Sequence, residues 1–167
     1  MDLKSRQAPL KERYRAEAAE ALITLKAEAR HGETSTACAI DIGRAVYEAQ
    51  AHAGVGGPGT AACSGDLLLG ALAACAQITC QMVAESQGVP LRRVDVTVEG
   101  DLDLRGTLGI SRHVPVGFAA IRTRFHIDAP EATDEQIDKL RRASEAYCTV
   151  LQTLKSAPPI ETEWDRT

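Results

Sequence analysis

The residues of this 167-residue chain best suited to covalent chemistry are its five cysteines, at 38, 63, 75, 80 and 148. An odd number cannot be fully paired in a secreted disulfide framework. Unpaired thiols serve as small core hydrophobes, metal ligands or redox nucleophiles. No two cysteines have the CxxC spacing of zinc or thioredoxin-type sites, and His31, His52, His113 and His126 show no ligand spacing with them. Zinc is therefore disfavoured, and no cofactor is expected. Cys38 falls on the apolar phase of an alternating segment and reads as core. Cys63 lies in a loop just ahead of a helix, where a thiol pKa can fall, and its role stays open. Cys75 and Cys80 are five residues apart, about 140° around a helix, so both cannot point into one small site. From pattern alone Cys75 is a core residue or a reactive one, and Cys148, on a second apolar stripe, reads as core. Yet each of the two principal helices carries a cysteine on or near its apolar face. Because helices pack through those faces, Cys75 and Cys148 could meet despite their separation in the chain.

The elements that must position these residues follow from periodicity. Pro9 and the charged, Ala-rich run to about Ala21 predict a solvated helical arm over residues 1–21, ahead of a single domain over 22–167. Ile23, Leu25, Ala27 and Ala29 alternate with polar residues, as do Cys38, Ile40 and Ile42, which predicts a hairpin turning at 31–34. The second strand is expected to run on through Arg44 and Val46. After a glycine loop at 54–59, Ser64 is the expected N-cap of a long helix with Asp66 in its first turn. Gly88 and Pro90 end it. Val94, Val96 and Val98 predict a third strand, Leu102 and Leu104 a related strand or loop, and Ile121, Thr123, Phe125 and Ile127 a strand with a wet, basic opposite face. Thr133 and Gln136 have capping-box spacing ahead of a helical stripe that reaches Leu151, and Ile160, Thr162 and Trp164 suggest a final strand. Strands in antiparallel groups, without βαβ alternation, define an α+β class.

Composition narrows the setting. Hydrophobic residues make up 44% and charged residues 25%, ordinary for a domain with its own core. With 19 Lys plus Arg against 23 Asp plus Glu, the net charge of −4 leaves no basic field for a phosphate backbone or anionic lipid, so nucleic acid is not an expected partner. The opening MDLKSRQAPLKERYRAEAAEAL carries charge throughout and lacks the apolar run of a secretory signal, so the expected compartment is the cytoplasm, where thiols stay reduced. Leu67 to Ala84 is the most apolar stretch, but it holds Gly70, Gln77, Thr79 and Gln81 without cationic flanks. A buried helix, not a membrane span, is expected there.

SGDLLLGALAAC at 64–75 resembles the central-helix motif of the OsmC/Ohr family, roughly small-Pro-x-Glu-Leu-Leu-x-Ala-x-Ala-Ala-Cys. YCTVLQTL at 147–154 resembles that family's second-cysteine motif, Cys-Pro-Val followed by a short apolar helix, and VPVGFAAIRTRFHID at 114–128 is similar to a strand of many members. The likeness covers about residues 22–164. It implies an OsmC-like fold, an intertwined α+β homodimer in which long central buried helices are wrapped by antiparallel sheets. It further implies a thiol-dependent peroxidase that reduces organic hydroperoxides, with Cys75 as the attacking and Cys148 as the resolving cysteine.

In that reading the Cys75 thiolate becomes a sulfenic acid, forms a disulfide with Cys148 and is restored by an external dithiol, lipoyl-type or other. Cys75 lies about three turns into its helix, beyond reach of that helix's own dipole, so a cation is expected to lower its pKa. The family uses an arginine held by a carboxylate. Arg44 is the first choice and Arg30 the second, with Asp66 as the carboxylate, although nine helical residues place Asp66 about 180° from Cys75. Leu68, Leu72, Ile78 and Met82 share or flank the face of Cys75 and are the expected substrate pocket, favouring an apolar hydroperoxide. Ser64, Asp66 and Thr149 stand where the family pattern has Pro, Glu and Pro. The alternatives are a non-catalytic domain binding an apolar ligand or partner, and a redox sensor.

Overall fold

A computed structural model of the protein shows helices combined with antiparallel strands, the α+β class that the strand grouping predicts. The structure describes residues 3–17, 21–24, 27–31, 37–41 and 46–166. The chain divides into one unit of Met1–Ala71 with Thr97–Arg124 and a second of Leu72–Val96 with Phe125–Thr167.

In the first unit, helix α1 (Leu3–Ala16) starts ahead of Pro9 rather than at it, so the proline removes one N–H from the helical ladder. Strands β1 (Glu28–His31), β2 (Ala37–Asp41) and β3 (Val46–Gln50) form an antiparallel sheet in that order. Glu28 pairs with Asp41 and His31 with Cys38, which is the predicted hairpin, while Cys38 pairs with Ala49 and Asp41 with Val46. Two expectations need correction here. The first strand starts at Glu28, not Ile23: Leu22 and Ile23 are exposed and outside any strand, because alternation without a hydrogen-bonded partner does not make a strand. Val46 opens a new antiparallel strand instead of extending β2, pairing back with Asp41. A one-turn 3-10 helix (Ala53–Val55) follows, capped by His52, whose Nδ1 accepts the Gly54 N–H at 3.0 Å. Asp103 caps a short helix α3 (Leu104–Thr107) by accepting the Arg105 N–H at 3.0 Å, so the Leu102–Leu104 segment turns helical rather than extended. At Gly100 a Cβ would stand 2.6 Å from the Phe118 ring, and glycine is what admits that close approach.

Helix α2 (Ser64–Gln87) and the ribbon of β4 (Arg93–Asp101) and β5 (Ala120–Asp128) contribute residues to both units. The Arg92 N–H donates to the Asp128 carbonyl at one end of the ribbon and the Ala119 N–H to the Asp101 carbonyl at the other, each at 2.8 Å, so the strands are antiparallel. Ile121, Thr123, Phe125 and Ile127 are half-buried while Arg122, Arg124 and His126 are exposed, as the period of two predicts.

The second unit holds a core of Cys80, Ala84, Val89, Val94 and Leu140, with Phe125, Ile127 and Ile137 packed against it. Helix α2 ends where predicted, and Gly88 is left-handed at φ 67°. The Val89 N–H reaches the Ala84 carbonyl at 2.9 Å and the Gly88 N–H that of Glu85 at 3.3 Å, a Schellman closure whose apolar contact is Ala84 with Val89. Helix α4 (Asp134–Tyr147) opens with the predicted capping box: Thr133 Oγ1 accepts the Gln136 N–H at 3.2 Å, and Gln136 Oε1 accepts the Thr133 N–H at 2.9 Å. The C-terminal stripe is not one helix, however. It breaks at Cys148, which is extended (φ −73°, ψ 103°), and resumes as α5 (Thr149–Lys155). Residues 157–166 form no strand, and Ile160 and Trp164 are exposed, so the expected last strand is absent from the described residues.

Candidate active site

Within the second unit, Leu72, Ala76, Cys80 and Ala84 recur every four residues of α2 and form its fully buried stripe. Cys75 is one residue off that stripe and half-buried, so its sulfur sits where packing ends. Cys148 is fully buried at the break between α4 and α5. Its N–H still closes α4 on the Ser144 carbonyl at 3.1 Å, and its carbonyl accepts the Gln152 N–H at 2.9 Å as the first bond of α5. Gln152 Nε2 turns back to the Glu145 carbonyl at 2.7 Å, satisfying an orphan acceptor of α4. The break therefore leaves the leading N–H groups of α5 free of helical partners.

Those groups serve Cys75. Burial pushes its thiol up, but the Val150 N–H, the Cys148 thiol, the Thr79 hydroxyl and the Thr149 N–H all donate towards the sulfur and together bring its pKa below the ordinary thiol range. Cys148 moves the opposite way. Burial raises it, the Leu151 N–H opposes, and the neighbouring Cys75 sulfur raises it further, so the two thiols are displaced in opposite directions. Both cysteines are reduced. Among the described residues the groups that lower the Cys75 pKa are neutral donors. Sequence reasoning missed Thr79 and the two backbone donors. Thr79 was legible as the residue one turn after Cys75, whereas the donors of α5 depend on a break that periodicity does not mark.

The other expected residues fall as follows. Arg44 lies outside the described residues, and Arg30 stands in β1 opposite Ala39. Asp66, in the first unit, is engaged at the start of α2, where its Oδ2 accepts the Cys63 N–H at 2.9 Å. That bond, with the Cys63 thiol, burial in opposition and His52 beyond, holds its carboxyl below the usual range. Cys63 rather than Ser64 is thus the residue ahead of the first turn, its carbonyl accepting the Leu67 N–H at 3.1 Å, and Ser64 is the first helical residue. Of the four pocket candidates, Leu72 is fully buried, while Leu68, Ile78 and Met82 are exposed. Cys80 is buried and its pKa is raised, by burial first, against a Ser144 hydroxyl that lowers it. Among the described residues no cluster of His, Cys, Asp and Glu is arranged to hold a metal ion.

A mixed α+β fold with two adjacent thiols of opposite acidity defines a thiol-bearing helix-and-sheet protein of the kind the two cysteine motifs resemble. The family model for OsmC-like protein matches residues 57–163, and the chain belongs to that family. Among solved structures, an OsmC-like protein from Mycoplasma pneumoniae superposes with a TM-score of 0.66 at 17% identity, covering 81% of this chain and 89% of that one. An organic hydroperoxide resistance protein OsmC from Legionella pneumophila gives 0.60 at 21% identity, covering 81% and 91%. An organic hydroperoxide resistance protein from Elizabethkingia anophelis gives 0.61 at 19%, again covering 81% and 91%. No curated protein matches the chain.

Proposed function

We propose that the protein is a two-cysteine peroxidase for organic hydroperoxides. The observation that carries this reading is the pairing of Cys75 and Cys148 with their pKa values displaced in opposite directions. The thiolate is the reactive form for attack on a peroxide oxygen, and the resolving sulfur must wait as a thiol. The Cys75 thiolate attacks the distal oxygen of ROOH, the O–O bond breaks, and the alkoxide takes a proton and leaves as the alcohol. Cys75 is left as a sulfenic acid. The Cys148 sulfur then displaces its hydroxyl, which leaves as water, and the disulfide forms. An external dithiol, lipoyl-type or another, returns both cysteines to thiols by two exchange steps and is itself oxidised to a disulfide.

Ile78 and Met82, exposed on α2, and Leu68 nearer its start suit an apolar substrate tail, while Leu72 would back them from the core. Asp66 and Arg44, or Arg30 in its place, are proposed as the carboxylate and the cation of the family's pattern. A homodimer is proposed because α2 keeps Ile78 and Met82 exposed on a helix apolar nearly all round, which a second copy would cover. The cytoplasm, where dithiol reductants are available, is the proposed compartment. The hydroperoxide-resistance descriptions of two related structures support the substrate class.

The test is non-reducing peptide mapping after one equivalent of cumene hydroperoxide. A 75–148 bridge, and loss of peroxide consumption in Cys75→Ser, is the expected result. Unchanged consumption in Cys75→Ser, or no bridge with slow thiol oxidation, would overturn the peroxidase and favour an apolar-ligand domain or a sensor.

A further inference from the structure

Between α4 and α5 the chain turns on the single residue Cys148, which is extended and whose side chain makes no cap bond to α5. Little in α5 itself fixes the direction of that turn. The helix has seven residues, none of them fully buried, and helices so short are marginal without tertiary packing. What ties it down is Gln152. Its backbone N–H donates to the Cys148 carbonyl at 2.9 Å, and its side chain passes back over the break, where Nε2 donates to the Glu145 carbonyl at 2.7 Å. That acceptor is one of the last four carbonyls of α4, which a helix leaves without helical partners. Among the described residues this is the one side-chain hydrogen bond that joins α5 to α4. The segment from Glu145 to Gln152 is thereby closed into a ring with Cys148 at its middle, and the Cys148 N–H is held in turn on the Ser144 carbonyl at 3.1 Å.

We propose that Gln152 is a positioning residue: its side chain braces the elbow at Cys148 and so holds the resolving sulfur in place for closure on oxidised Cys75. This assignment deepens the peroxidase reading and rests on Cys75 being the attacking and Cys148 the resolving sulfur. Gln152 transfers no atom or electron. The Cys148 sulfur displaces the sulfenic hydroxyl, which leaves as water, with or without the brace. Closure is an intramolecular step whose rate depends on how narrowly its two sulfurs are held, and a backbone that swings at Cys148 spends less time in the closing arrangement.

The experiment compares the full-length native chain with Gln152→Met, Gln152→Glu and Gln152→Lys. Methionine keeps the length without a donor, glutamate keeps the shape with acceptors only at neutral pH, and lysine restores a donor. Each protein receives one equivalent of cumene hydroperoxide with dimedone in excess, and peptide mass spectrometry reads the ratio of Cys75–dimedone adduct to 75–148 bridge. Both products come from the same sulfenic acid, so the ratio reads closure alone, and a smaller folded fraction does not move it. Gln152→Met and Gln152→Glu are expected to raise the ratio about two- to tenfold, the span that one net hydrogen bond supports, while Gln152→Lys stays near the native value. A native ratio in the methionine and glutamate variants, or a lysine variant displaced as far as methionine, overturns the assignment. Amide hydrogen exchange over residues 149–155 of the same reduced proteins needs no peroxide. It is expected to quicken in the methionine and glutamate variants only, and unchanged exchange there overturns the brace. If the native chain yields neither product while that exchange order holds, the peroxidase reading falls and Gln152 keeps its place at the elbow.

Discussion

The Cys148 thiol donates towards Cys75, and this one contact lowers the first sulfur's pKa while raising the second's. The direction follows from setting: Cys75 is half-buried beside several donors, whereas Cys148 is sealed at the junction of two helices. The two sulfurs therefore differ in acidity while both are still reduced.

Alkylation by iodoacetamide should therefore be ordered. Cys75, with its pKa lowered, forms thiolate below the ordinary midpoint of about 8.5, and Cys148, with its pKa raised, only above it. At neutral pH the Cys75 peptide is modified first, and the rate falls as pH drops through its lowered pKa. Equal rates for both peptides across the range would remove the basis of the division of labour.

Thr149→Pro tests the backbone donors directly. Position 149 is the first residue of α5 and Cys148 before it is already extended, so proline fits both requirements of its site. It deletes one N–H that favours the Cys75 thiolate. The expected outcome is an intact fold by circular dichroism with a raised alkylation midpoint for Cys75. A midpoint at or below the native one would show that the Thr149 N–H contributes nothing.

Cys80→Ala should leave peroxide consumption and the 75–148 bridge intact. Its thiol is fully buried, its pKa is raised, and it lies on the core side of α2. The change removes one sulfur atom from the core and should cost about 1 kcal/mol in urea unfolding. Loss of turnover in a folded variant would draw Cys80 into the redox chemistry.

Leu140→Ala probes the packing that holds α4 against the core. Leu140 is completely buried, and truncating such a leucine costs about 2–5 kcal/mol. The urea midpoint should fall sharply. Because α4 carries Cys148 at its end, the Cys75 alkylation midpoint should rise in the same variant as the donors of α5 loosen. A stable variant would place the core elsewhere.

What the residues alone determined was local. The capping box of Thr133 and Gln136, the stop at Gly88, the alternation of β5 and the α+β class were legible because caps, glycine conformations and side-chain periods act over a few residues. The two cysteine motifs marked the family for the same reason. The break at Cys148 was not legible, since the apolar stripe continues through it and only the chain path beyond Ser144 interrupts the helix. Nor was the start of β1, where alternation at Ile23 finds no partner strand, or the third strand, which depends on pairing between Asp41 and Val46. The source of the Cys75 acidity belongs with these. Its donors include N–H groups more than seventy residues along the chain, and tertiary structure alone decides which unpaired amides meet which sulfur, because a hydrogen bond acts through distance in space and not through spacing in sequence.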